Sequence, residues 1–128
     1  MTADCIFCKI AAGEIPSKKF YEDDDCIGFL DINPMSKGHA LLVTKQHYDS
    51  ILDVPPEDAK ELFAKAQMLS ATLKQKLGAQ LIYLMVMGDE IAHVHFHLIP
   101  FYGEKLFQTL GKDETDLDEV LKSIKALQ

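Results

Sequence analysis

No stretch of this 128-residue chain is apolar for long enough to cross a bilayer, which takes about 18–20 residues; the longest run is Leu81–Met87. Surplus positive charge is also missing. Thirteen Lys and Arg face twenty Asp and Glu, for a net charge of −7. A general nucleic-acid binder needs excess cations to displace counterions, so that class is excluded, while one small anionic ligand in a locally positive pocket is not. Cysteine is scarce, with three residues. An odd count, and an N-terminus interrupted by Asp4 and Lys9 so that no signal-peptide core forms, predict reduced thiols and a cytoplasmic protein. No Pro/Gly/Ser-rich linker, repeat, low-complexity tract or charge block divides the sequence, which predicts one domain over residues 1–128. With 48% apolar and 26% charged residues, such a chain buries about two-thirds of its unfolded surface and needs no disulfide.

What is present reads as an α+β protein with a mainly antiparallel sheet. Residues 5–13 suggest a short helix closed by Gly13. Phe20–Glu22 and Cys26–Asp31 flank an acidic turn, Asp23–Asp25, as a hairpin would. Asn33-Pro34 and Lys37-Gly38 mark a loop, and His39–Thr44 reads as a buried strand. Glu57–Leu77 is the clearest helix, with Ala59, Leu62, Phe63, Ala66, Leu69, Leu73 and Leu77 at three- and four-residue spacing, prolines before it and Gly78 after it. Leu81–Met87 predicts a second buried strand, His93–Pro100 a third, and Asp116–Leu127 a C-terminal helix.

Three of the five histidines fall at 93, 95 and 97, in HVHFHLIP. On a strand, residues i, i+2 and i+4 share one face about 6.5–7 Å apart, so the imidazoles would line a site while Val94, Phe96 and Leu98 pack into the core. A neutral imidazole is a good nucleophile towards phosphorus or acyl carbon, and a neighbouring ring can donate a hydrogen bond to a charged oxygen. An exposed sheet face and a metal-binding cluster are the competing readings. Cys5-x-x-Cys8 has the spacing of half a zinc site, but a redox pair or two inert buried thiols fit it too. Cys26 has no sequence partner and reads as a core thiol.

HVHFHLIP resembles the motif of the histidine-triad (HIT) family. CIFCKI at 5–10, GEIPSKKFYEDDD at 13–25, FLDINPMSKGHALLV at 29–43 and KQHY at 45–48 resemble its zinc-containing bacterial and archaeal branch. The resemblance implies a five-stranded HIT-like sheet with one long helix, a short N-terminal helix and a C-terminal helix, a variable stretch over 104–128, and a homodimer. It also implies a hydrolase or transferase acting at the α-phosphate of purine nucleotide conjugates through a nucleotidyl-histidine intermediate. In those roles His95 is the nucleophile, His97 contacts phosphate, and His39 packs beside the triad. Asp31 accepts the ribose hydroxyls, Phe7, Ile10, Ile15, Phe29 and Ile32 form the base pocket, and Gly88 and Asp89 lie along the nucleotide. Cys5, Cys8, His47 and His93 would hold a structural zinc ion. The sequence departs from the family before the triad. The loop there is short, Asp89 stands where Gln is usual and Glu90 where a small hydroxyl often sits, and Phe101 replaces an Arg. Two acids beside an anionic substrate are an electrostatic problem unless they point outward or meet a cation. That feature supports the other reading, a zinc-stabilised nucleotide-binding or interaction protein with little turnover.

Overall fold

The computed structural model describes residues 4–103; the helix expected at 116–127 lies outside them. Two helices and five strands follow in order: α1 (Ile6–Ala11), β1 (Lys19–Glu22), β2 (Cys26–Leu30), β3 (Ala40–Thr44), α2 (Pro56–Leu77), β4 (Leu81–Val86) and β5 (His95–Phe101), with a 3-10 turn at Ile51–Asp53 before α2. The strands form one sheet in the order β1-β2-β3-β5-β4, antiparallel throughout. β5, the histidine strand, therefore inserts between β3 and β4, and Val43 and Leu41 sit opposite His95 and His97.

Both faces of the sheet are covered, which explains why β3 is buried along its whole length. On one face α2 packs Leu62, Ala66 and Leu69 against Cys26, Ala40, Leu42, Phe96 and Leu98. On the other, α1 packs Phe7, Cys8 and Ile10 against Ile27, Phe29, Leu41 and Val43. Because strand residues alternate, the aliphatic half of β5 faces α2 and its imidazole half faces α1. Proline at N1, Glu57 and Asp58 in the first turn, and a left-handed Gly78 after Leu77 bound α2, as the sequence predicts. Gly38 also has positive φ, and any side chain there would run into Leu77 Cδ1.

Three expectations fail for physical reasons. The strand expected from His93 begins at His95. The His93 amide bonds to Ile91 O and the Val94 amide to Tyr48 O, so His93 is turned out of the ladder. β4 is not a buried strand: β5 takes the place beside β3, leaving β4 outermost with Leu84 43% exposed. Phe63 is likewise 49% exposed; its ring touches Phe96 at 4.8 Å, yet the apolar stripe of α2 is wider than the sheet surface it covers.

Candidate active site and metal centre

α1 brings Cys5 and Cys8 onto the sheet face that carries His93. Cys5 caps the helix, its Sγ accepting the Cys8 N–H at 3.4 Å. The Cys5 and Cys8 sulfurs lie 3.2 and 3.5 Å from His93 Nδ1, and Cys8 Sγ lies 3.3 Å from His47 Nδ1. All four ligand atoms fall within 4.8 Å of one another. In a tetrahedral Cys₂His₂ site, ligand bonds of about 2.0–2.3 Å put neighbouring ligand atoms about 3.3–3.8 Å apart, close to these spacings. The far ring nitrogens decide whether the rings can act as ligands. His93 Nε2 donates to Thr44 O at 2.7 Å, and His47 Nε2 donates to Asp49 Oδ1 at 2.8 Å. Each ring is thereby held with its Nδ1 lone pair towards the sulfurs, the outer contacts of a metal-binding histidine.

A second group, Asp31, His39 and His97, also has metal-ligand composition and comparable closeness. Its hydrogen bonds argue for proton positioning instead. The Met35 amide donates to His39 Nδ1 at 3.0 Å, so the ring proton of neutral His39 sits on Nε2. That proton is given to His97 Nδ1 at 2.9 Å, with Asp31 Oδ2 at 3.5 Å as a weaker neighbour. His97 must then carry its own proton on Nε2. A metal on His39 Nε2 would have to displace the ring proton into the Met35 N–H. Burial pushes His39 and His97 below the ordinary histidine pKa, more than Asp31 raises them, which keeps both neutral near pH 7.

His95 completes the chemistry. Its Nδ1–H donates to the His93 carbonyl at 2.7 Å, so Nε2 bears the lone pair. The Phe7 ring meets it edge-on at 4.9 Å, and the His97 ring lies 5.0 Å away. A ring nitrogen bearing its lone pair thus stands beside a ring held as an N–H donor.

The residues expected around a base do not share one environment. Phe7, Ile10 and Phe29 are buried in the α1-side core with Ile15 partly buried against it, whereas Ile32 stands 88% exposed on the following loop. Asp31 Oδ1 accepts the Asn33 amide at 2.8 Å. Gly88 and Asp89 lie exposed in the β4–β5 connection, with Asp89 near enough to His97 to favour its charged form. Cys26 is a core thiol, its pKa pushed up to about 11 chiefly by burial. Asp49, Met35 N–H and the Thr44 carbonyl were not among the sequence expectations. Only Asp49 left a trace, two residues after His47.

Comparison with known proteins bears on this arrangement. The HIT domain family model matches residues 12–104. An uncharacterised HIT-like protein of Methanocaldococcus jannaschii is 45% identical over 94% of this chain and 98% of its own length. The adenosine 5′-monophosphoramidase HNT1 of Saccharomyces cerevisiae is 38% identical over 99% of this chain and 82% of its own. Among solved structures, a Zn-bound histidine triad family protein from Mycobacterium smegmatis superposes with a TM-score of 0.77 at 28% identity, covering 98% of each chain.

Proposed function

This chain belongs to the HIT family, and from that premise we propose that it hydrolyses or transfers nucleotides at the α-phosphate of purine nucleotide conjugates, using His95 as the covalent nucleophile. Nucleoside phosphoramidates and dinucleoside polyphosphates are the substrate classes. The observation that carries the reading is the pair of ring orientations: His95 Nδ1–H on the His93 carbonyl and His39 Nε2–H on His97 Nδ1. One leaves a lone pair for attack and the other a donor for charge.

In the first step His95 Nε2 bonds to the α-phosphorus. The bond from phosphorus to the departing group breaks, and that group leaves with the electron pair and takes a proton from solvent. His97 Nε2–H donates to a non-bridging oxygen as negative charge grows, and the His93 carbonyl offsets the positive charge gained by the His95 ring. Water then attacks phosphorus, the electron pair returns to His95 Nε2, and the mononucleotide and a proton are released. Asp31, with one oxygen on the Asn33 amide, offers the other to ribose hydroxyls; Gly88 and Asp89 border the nucleotide.

Cys5, Cys8, His47 and His93 hold zinc in this reading, supported by the converging lone pairs and by the Zn-bound relative. When bound, zinc supplies a closed structural link between α1, the loop after β3 and the start of β5. The thiolates need a reducing compartment, so a cytoplasmic location goes with it; among the described residues no helix is long and apolar enough to cross a membrane. A homodimer is part of the proposal. Leu84 on the outer strand and Phe63 and Met68 on α2 are exposed, and Pro56, Ala59, Phe63, Ala64 and Leu84, with Lys60 and Gln67, line a mostly apolar groove that a second copy would cover.

The test is a rapid-quench experiment with adenosine 5′-[³²P]phosphoramidate and labelled dinucleoside polyphosphates, stopped in base, where phosphohistidine bonds survive. Wild type retains label on protein and His95→Ala retains none while keeping its fold. Turnover without protein-bound label at any quench time disfavours the covalent step, and turnover retained in His95→Ala refutes it. No turnover across the panel favours a nucleotide-binding protein instead.

A further inference from the structure

The metal cluster is not sealed on all sides. A cleft of about 360 Å³ opens over it, lined by Asp4, Cys5, Ile6, His47, Asp49 and Glu90 together with residues 91 and 92. Two of the four ligands, Cys5 and His47, are among its lining residues. The other two, Cys8 and His93, do not line it and are almost fully buried. His47 is 12% exposed on its side chain and is the cluster's more open ring. Three of the lining residues, Asp4, Asp49 and Glu90, carry carboxylates, and none is Lys or Arg. Asp49 accepts from His47 Nε2 and remains 75% exposed on its side chain, so it faces both the ligand and solvent. Glu90, an electrostatic problem if turned to a phosphate, belongs to this cleft.

We propose that this cleft is the loading and exchange route of the metal centre, with Asp4, Asp49 and Glu90 forming a capture vestibule for a divalent transition-metal ion such as Zn²⁺. The inference rests on the zinc reading of the four ligands and adds to it a direction of approach. A cleft with low-dielectric walls and charge of one sign raises the local concentration of counter-ions and so the on-rate. An incoming cation would meet the carboxylates first; Cys5 and His47, which line the cleft, and the buried Cys8 and His93 would hold it, with the thiol protons released to solvent. Glu90 is thereby a residue of the metal side of the molecule, which relieves half of the acidic burden expected on the phosphate side.

The experiment follows metal exchange in the intact protein. Co²⁺ uptake is read from the thiolate-to-cobalt charge-transfer band, and Zn²⁺ release from transfer to a chromogenic chelator, across a salt series. Asp4→Asn/Glu90→Gln should slow uptake by about 3- to 10-fold and flatten its salt dependence. The remote control Asp24→Asn/Glu57→Gln, with the same charge change, should take up metal at the wild-type rate. Ile6→Trp places bulk in the cleft and should slow uptake and release by a similar factor, leaving equilibrium affinity within about twofold. A route requires that pattern, whereas a change in ligand geometry alters affinity. Wild-type exchange rates and salt dependence in both cleft variants overturn the route and leave the zinc site standing. A wild-type protein that takes up no cobalt and contains no zinc overturns both.

Discussion

Replacing His39 separates the two hydrogen bonds its ring makes. Nδ1 receives the Met35 amide at 3.0 Å and Nε2 gives its proton to His97 at 2.9 Å. In His39→Ala both are lost, and His97 Nδ1 is left without its donor in a half-buried position. Leaving such a group unpaired costs about 1–3 kcal/mol. If that cost falls on the transition state, where His97 must hold its Nε2 proton towards phosphate, it becomes a drop of about 5- to 150-fold in kcat. His39→Asn places its amide oxygen near the Nδ1 position but stops short of His97, so it should behave like alanine in kcat while keeping more thermal stability. His39→Gln reaches further, can donate to His97 Nδ1, and should remain within about 10-fold of wild type. The assay is steady-state release of AMP from adenosine 5′-phosphoramidate, with Tm recorded for each variant. Equal kcat in the Ala and Gln variants would refute the assignment of His39 as the donor that sets the His97 proton.

Three further outcomes follow from the same geometry. Cys8→Ser should abolish stoichiometric zinc in metal analysis and, because structural metal binding is folding energy, lower Tm by more than about 10 °C in a thermal melt. Phe96→Ala, at the fully buried centre of the α2 face, should cost about 3–5 kcal/mol in urea unfolding without removing metal. Folded His39 and His97 hold protons less tightly than they do unfolded, so on acidification the unfolded chain takes up protons first. Their contribution to stability is therefore complete above about pH 6.5 and shrinks as pH falls below it, until the lowered folded pKa values are passed. Urea melts across pH 5–8 should show the decline in wild type and a shallower one in His39→Gln; a flat profile would contradict it.

Side-chain pattern carried much of this molecule and backbone atoms carried the rest. Alternation in HVHFHLIP placed Phe96 and Leu98 opposite His95 and His97, because a strand has no other way to arrange them. The same rule put the His93 ring on the face of His95, beside Phe7, but missed where the strand begins, because the His93 amide bonds to Ile91 O and the Val94 amide to Tyr48 O. Period alone could not foresee this, since the departure of His93 and Val94 from the ladder leaves the sequence pattern unchanged. Leu81–Met87 reads as a buried strand because its residues are apolar, yet strand order, which local sequence does not encode, made it an edge. Ile32, expected from the resemblance at a base pocket, is 88% exposed on the loop after Asp31, a placement its apolar side chain alone does not reveal. The orientations of the His39 and His93 rings were the least legible feature. They depend on the Met35 amide and on the Thr44 carbonyl, groups every residue possesses.

His93 is shared between the two centres through different atoms of one residue. Its imidazole looks to Cys5 and Cys8, while its carbonyl fixes the neighbouring ring of His95. Loss of either thiol would therefore free the ring of the residue whose carbonyl aims His95, so the proposed nucleophile takes part of its orientation from the short helix at the other end of the described chain.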